Sequence, residues 1–105
     1  MPPNSDTATA TAQATAAATA EAVVEAVVEL PAHLHARPAG TLAKIAARFD
    51  SEIEITHEGR TANPTGILAV MGLGAPAGAT VTVRARGTDA HHAVTEITQL
   101  LATID

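Results

Sequence analysis

Along the chain, apolar and polar positions fall into a few distinct rhythms, and the first twenty residues have none. Residues 1–20 are almost entirely Ala and Thr with a few polar residues, and beyond Met1 they carry no large apolar side chain. Such a segment cannot bury enough surface to offset its ordering entropy, so it is expected to be a disordered tail or linker. Residues 21–30 fit two periods at once. Glu21, Glu25 and Glu29 recur every four residues as on one helix face, while Val24, Ala26, Val28 and Leu30 alternate as in a half-buried strand. Pro31 ends either element, and periodicity alone leaves the choice open.

Further on the rhythms are clear. From 36 to 49, Pro38 suits a first helical turn, and Leu42, Ile45, Ala46 and Phe49 share one helical face. Glu52-Ile53-Glu54-Ile55-Thr56 alternates as a strand with one wet face, and Glu58-Gly59 turns the chain into Arg60-Thr61-Ala62. Asn63-Pro64-Thr65-Gly66 is a loop before a short apolar helix from 67 to 71. Residues 80–85 alternate again, and Thr88 or Asp89 caps a last helix with Ala90, Val94, Ile97, Leu101 and Ile104 inward. If the Val-rich segment is a strand, the order is βαββαβα. That predicts one α+β domain over residues 21–105, an open-faced sandwich with a four-stranded sheet and its helices on one face.

Composition narrows the chemistry. The 105 residues contain no Cys, which excludes disulfides, thiolate catalysis and the usual structural zinc sites. Six basic residues against eleven acidic, for a net charge of −5, argue against nucleic acid. A single Phe with no Trp or Tyr removes the usual base-stacking platform. The apolar runs are too short to span a membrane, and MPPNSD does not read as a secretory signal. A cytoplasmic protein, without membrane insertion, is expected.

The chemically loaded segment is His33-Leu34-His35-Ala36-Arg37-Pro38-Ala39. It sets an imidazole and a guanidinium where the chain starts a helix. There the backbone N–H groups lack intrahelical partners and the helix dipole favours negative charge. A histidine so placed is a poor cation site and a good phosphate site. Neutral imidazole is a nucleophile, and its phosphorylated form can accept hydrogen bonds from the amides and from Arg37. A histidine near a helix start is by itself most often a surface or capping residue, and local physics carries the case no further.

Residues 34–39, LHARPA, resemble the active-site motif of the histidine-containing phosphocarrier proteins (HPr) of the bacterial phosphoenolpyruvate-dependent sugar phosphotransferase system. The likeness runs over about residues 22–105, through FDSEIEITHEGRTAN, ILAVMGLG and PAGATVTVRARGTDAHHAV, without a gap up to the last helix. The resemblance implies the βαββαβα fold, and so a strand for the Val-rich segment. It implies that His35 takes the phosphoryl group on Nδ1 and that Arg37 stabilises it. It also implies that Ile67, Leu68 and Met71 form the surface that docks the donor, enzyme I, and the acceptors, which are IIA proteins or domains. On this reading the chain is a reusable carrier rather than an enzyme, needs no cofactor, and has no reason to be an obligate oligomer.

The motif departs from the family at three places. His33 stands where the family usually has glycine, Ala32 where a polar residue is common, and Gly66 where many members carry a regulatory serine, with Thr65 beside it. The His33-x-His35 pair, with His57 or His91-His92, admits a metal-binding reading, but no carboxylate stands at ligand spacing and no metal is expected. His91 and His92 in the last helix, and His57 at a strand end, read as surface residues, and Leu73 as core. A binding-only regulator, docking on a transcription factor or metabolic enzyme, is the alternative function. Relatives of that kind typically lose the histidine, whereas this chain keeps both His35 and Arg37.

Overall fold

The computed structural model describes residues 22–105, and the expected Ala/Thr tail lies outside the described residues. The elements are β1 (Ala22–Glu29), α1 (Ala36–Ala46), β2 (Glu52–His57), β3 (Arg60–Ala62), α2 (Ile67–Met71), β4 (Thr80–Gly87) and α3 (Ala90–Leu101). The Val-rich segment is a strand. Its alternative, a helix with three glutamates in a row, has only an Ala/Val flank to bury. As a strand it gains a partner along all eight residues, pairing antiparallel with β4 from Ala22 opposite Gly87 to Glu29 opposite Thr80. The sheet order is β1-β4-β2-β3, with every pairing antiparallel.

Period-two alternation divides the sheet into two faces. Val81, Val83 and Ala85 of β4, Ile53 and Ile55 of β2 and Ala62 of β3 point into the core, with Val24, Ala26 and Val28 of β1 along its margin. α3 lies across β1, β4 and β2 and supplies Ala90, Ala93, Val94, Ile97 and Leu101, while α1 packs on α3 and α2 through Leu42 and Ala46. The opposite face is bare and largely charged, with Val23 and Val27 of β1 also exposed on it. There Arg84 lies between Glu25 and Glu54, at 3.8 and 3.6 Å, and Arg86 reaches Glu52 at 2.9 Å. These pairs are half exposed and screened, so they contribute little to stability and more to register.

Two local devices set the loops. The β2–β3 hairpin closes in two residues, with Glu58 and Gly59 both at positive φ (48° and 82°), the primed turn that matches strand twist. The helix expected to continue to residue 49 ends at Ala46. Arg48 and Phe49 donate to carbonyls three residues back, tightening the last turn, and Phe49 swings onto His92 with ring centroids 5.3 Å apart.

The side chain of Asp89, at the N-cap of α3, makes no capping bond to its own helix. Its carboxylate accepts from the Asp50 amide (2.8 Å), the Ser51 amide (3.0 Å) and the Ser51 hydroxyl, stapling the α1–β2 loop to the start of α3. The Ser51 hydroxyl, then the Asp50 amide, hold the carboxyl below its ordinary 3.8. A carboxyl lowered by folding contributes stability above its unfolded pKa, and loses it as pH falls through the folded one. The stability gap between the native chain and Asp89→Asn should therefore be constant from about pH 8 to 5 and shrink below about pH 4, as read from urea midpoints.

Gly87 closes the same corner. A Cβ there would meet the Ser51 Cα at 2.8 Å and Oγ at 2.7 Å, on a backbone at φ +148°. Backbone strain and overpacking together should make Gly87→Ala less stable by about 2 kcal/mol, measured by chemical denaturation.

Candidate functional site

The loop between β1 and α1 is held from beneath. Leu34 is fully buried and its amide donates to the Ala75 carbonyl at 3.1 Å. The His35 amide donates to the His33 carbonyl at 3.0 Å, closing a three-residue turn about Leu34. With Leu34 pointing inward, residues 33 and 35 both point outward, and their rings lie 5.6 Å apart at an interplanar angle of 39°. Both histidines are exposed.

His35 is the N-cap of α1, with extended backbone (φ −95°, ψ −164°) and no side-chain capping bond. Its carbonyl accepts from the Ala39 amide at 3.0 Å, and its ring is exposed to solvent. Pro38 is buried and brings no N–H, which leaves the amides of Ala36 and Arg37 as the outward donors of the first turn. Arg37 is exposed, and among the described residues its guanidinium makes no ion pair or hydrogen bond. No acidic residue stands in that turn. The ensemble is a shallow positive spot, with a nucleophile, a planar fork and two backbone donors, on a chain whose net charge is −5.

α2 packs against α1 and contributes an apolar surface. Val70 is buried, whereas Ile67, Met71 and above all Leu68, at 82% exposure, face solvent. Leu73 is buried, in agreement with its reading as core. Three neighbouring large apolar side chains are thus left in water on one short helix.

His57 corrects the sequence reading. It is buried rather than a surface residue, and its Nδ1 donates to the Leu73 carbonyl at 3.1 Å. The signal was present in the alternation, since Ile53, Ile55 and His57 share the inward face of β2. Arg60 donates to the Gly72 carbonyl at 3.2 Å, so the hairpin grips the C-terminal end of α2 at two points. His91 and His92 are exposed on α3, and His92 lies 3.6 Å from Glu96. Among the described residues no three His, Asp or Glu side chains converge as a metal site would require.

The family model for the PTS HPr component phosphorylation site matches residues 22–103. The chain belongs to the HPr family. The HPr phosphocarrier of Bacillus anthracis is 32% identical over 76% of this chain and 98% of its own, with a TM-score of 0.72. The histidine-containing phosphocarrier of Mycoplasma is 37% identical over 75% and 90%, with a TM-score of 0.66. Crh, the catabolite-repression HPr of Bacillus subtilis, whose crystals hold a dimer with a swapped domain, is 29% identical over 74% and 92%, at 0.64. Family and fold support a phosphocarrier role in the phosphotransferase system, with partners drawn from that system. No helix among the described residues is long and apolar enough to cross a membrane.

Proposed function

We propose that this HPr-family chain accepts a phosphoryl group on His35 from phospho-enzyme I and passes it to a IIA protein or domain. The observation that carries this reading is the exposed, uncapped imidazole of His35 at a helix start, beside a partnerless Arg37 and two outward amides. In the forward step the Nδ1 lone pair of neutral His35 attacks phosphorus in line. The new N–P bond forms as the donor's N–P bond breaks, and the electron pair returns to the donor histidine. Little covalent chemistry is asked of the carrier, so its contribution is positioning and charge stabilisation. Ile67, Leu68 and Met71 are the docking surface, and a contact of that modest size lets each partner leave again. The protein acts in this cycle as a cytoplasmic monomer.

Incubation with phosphoenolpyruvate, enzyme I and purified IIA tests the reading. Label should appear on this chain with enzyme I alone and move on when IIA is added. A chain that docks on enzyme I but never carries label would favour the binding-only regulator instead. Retention of His35 and Arg37 speaks for the carrier, because a docking protein has no use for a nucleophile.

Gly66 should make the protein blind to the serine kinase that modifies many HPr proteins. A phosphoserine at this N-cap would set nearly two negative charges beside the docking helix, but Gly66 has no hydroxyl. Thr65 is no substitute, since its hydroxyl donates to the Asn63 side-chain carbonyl at 2.7 Å. Incubation with the kinase and ATP, followed by intact mass, should show no label on the native chain. Gly66→Ser should be labelled, and its Cβ fits, meeting Ala69 and the Asn63 carbonyl only at 3.5 Å.

A further inference from the structure

Position 33 carries an imidazole that the proposed transfer chemistry has not yet used. The buried Leu34 and the turn closed by the His35 amide fix the backbone on both sides of it, leaving only side-chain rotation free. Its ring lies 5.6 Å from that of His35, and both side chains are exposed, so the two rings border the same patch of solvent. Arg37 is the charged residue that follows the pair along the chain, and Glu58 lines a surface with Gly74 and residues 76–80, the segment on which the loop rests. Arg37 stands in the first turn of α1, which holds no acidic residue. The neighbouring α2 is Ile-Leu-Ala-Val-Met, and residues 72–79 carry no charged side chain. Along the chain the nearest carboxylates are Glu29 and Asp50, and neither pairs with His33.

Before transfer this arrangement sets one imidazole beside another with no anion between them. After transfer His35 bears a dianionic group, and a protonated His33 faces an opposite charge. We propose that His33 is a second cation of the phosphoryl site, whose imidazolium donates to the group held on His35 without ever taking that group itself. This rests on the assignment of His35 as the phosphoryl acceptor. It gives the loaded carrier a pH-dependent stability that a glycine at position 33 cannot supply. No bond of His33 is made or broken, and only its proton affinity changes.

The size of the effect follows from distance and screening. A dianion about 6 Å from an imidazolium in high dielectric and moderate salt raises the imidazole's titration midpoint by about half a pH unit. By linkage, protonated His33 then favours the phosphorylated state by the same factor, about threefold.

The test loads His35 in two ways, with enzyme I and phosphoenolpyruvate, and with potassium phosphoramidate, which needs no partner protein. NMR then follows the ring protons of His33 against pH in the free and loaded chain. We expect its midpoint to move up by about half a pH unit on loading, and less in high salt. The equilibrium for acceptance from phospho-enzyme I should be about threefold more favourable for the native chain than for His33→Gln or His33→Gly near pH 6, converging above about pH 8. A purely structural His33 would shift all pH values alike. A His33 midpoint that stays put while His35 is loaded overturns the proposal, as does label found on His33. Loading by phosphoramidate with the expected His33 response, but none by enzyme I, would sink the carrier function and leave this proposal standing.

Discussion

His35→Ala should accept no phosphoryl group from enzyme I and phosphoenolpyruvate, while melting within a degree or two of the native chain. Both halves of that expectation come from the same geometry. The His35 side chain is exposed and makes no capping bond, so its removal takes away no contact that supports the fold, and surface changes of this kind cost within about 0.5 kcal/mol. It is also the imidazole of the residue at the N-cap of α1, next in the chain to the outward amides. The other four histidines lack that setting: His57 is buried and bonded to Leu73, His91 and His92 lie on α3, and His33 sits before the turn. Peptide mapping under mildly alkaline conditions, which preserve the acid-labile phosphoramidate, should place all label on His35. Label in His35→Ala would show that another histidine is the acceptor.

Arg37→Ala should slow transfer about a hundredfold while leaving the fold intact. Removing one donor that stabilises charge in a transferring group costs on the order of 3 kcal/mol, which is about two powers of ten in rate. The stability side has a definite sign. A cation in the first turn of a helix opposes the macrodipole, and here no carboxylate offsets it. Arg37→Ala should therefore unfold at the same or a slightly higher denaturant concentration than the native chain. An arginine kept for structure would give the reverse pattern. Arg37→Lys should recover part of the rate, because an ammonium keeps the charge but lacks the planar fork. Stopped-flow transfer from phospho-enzyme I supplies the rates, and an unchanged rate in Arg37→Ala would remove this residue from the site.

The short helix and its apolar surface were readable in the chain, but the division of labour within it was not. Ile67, Leu68, Val70 and Met71 look alike as a string. Packing of α2 against α1 turns Val70 inward and leaves the other three in water. The grip on the far end of that helix is a purely tertiary fact, since His57 and Arg60 meet Leu73 and Gly72 across twelve or more residues. Alternation along β2 does place His57 inward, yet a histidine beside a turn reads as surface until its carbonyl partner is known.

By itself the sequence determined the elements with strong periodicity: α1, β2, β4 and α3, with the two-residue turn between β2 and β3 and the helix start at His35. Their signals are local, set by side-chain spacing, turn chemistry and the lone donors of a helix end. The resemblance carried by LHARPA and the collinear segments after it added the topology, and the expectation that His35 is the acceptor. The tertiary structure decided what local signals cannot hold. β1 becomes a strand because β4 offers it an antiparallel partner along its whole length. Arg84 is shared by Glu25 and Glu54 because register brings three distant residues onto one row. Asp89 turns from capping its own helix to stapling the loop at Ser51, where Gly87 leaves room for it. The pairing of His33 with His35 is of the same kind. Two residues apart in sequence, they face each other only because buried Leu34 pins the turn between them.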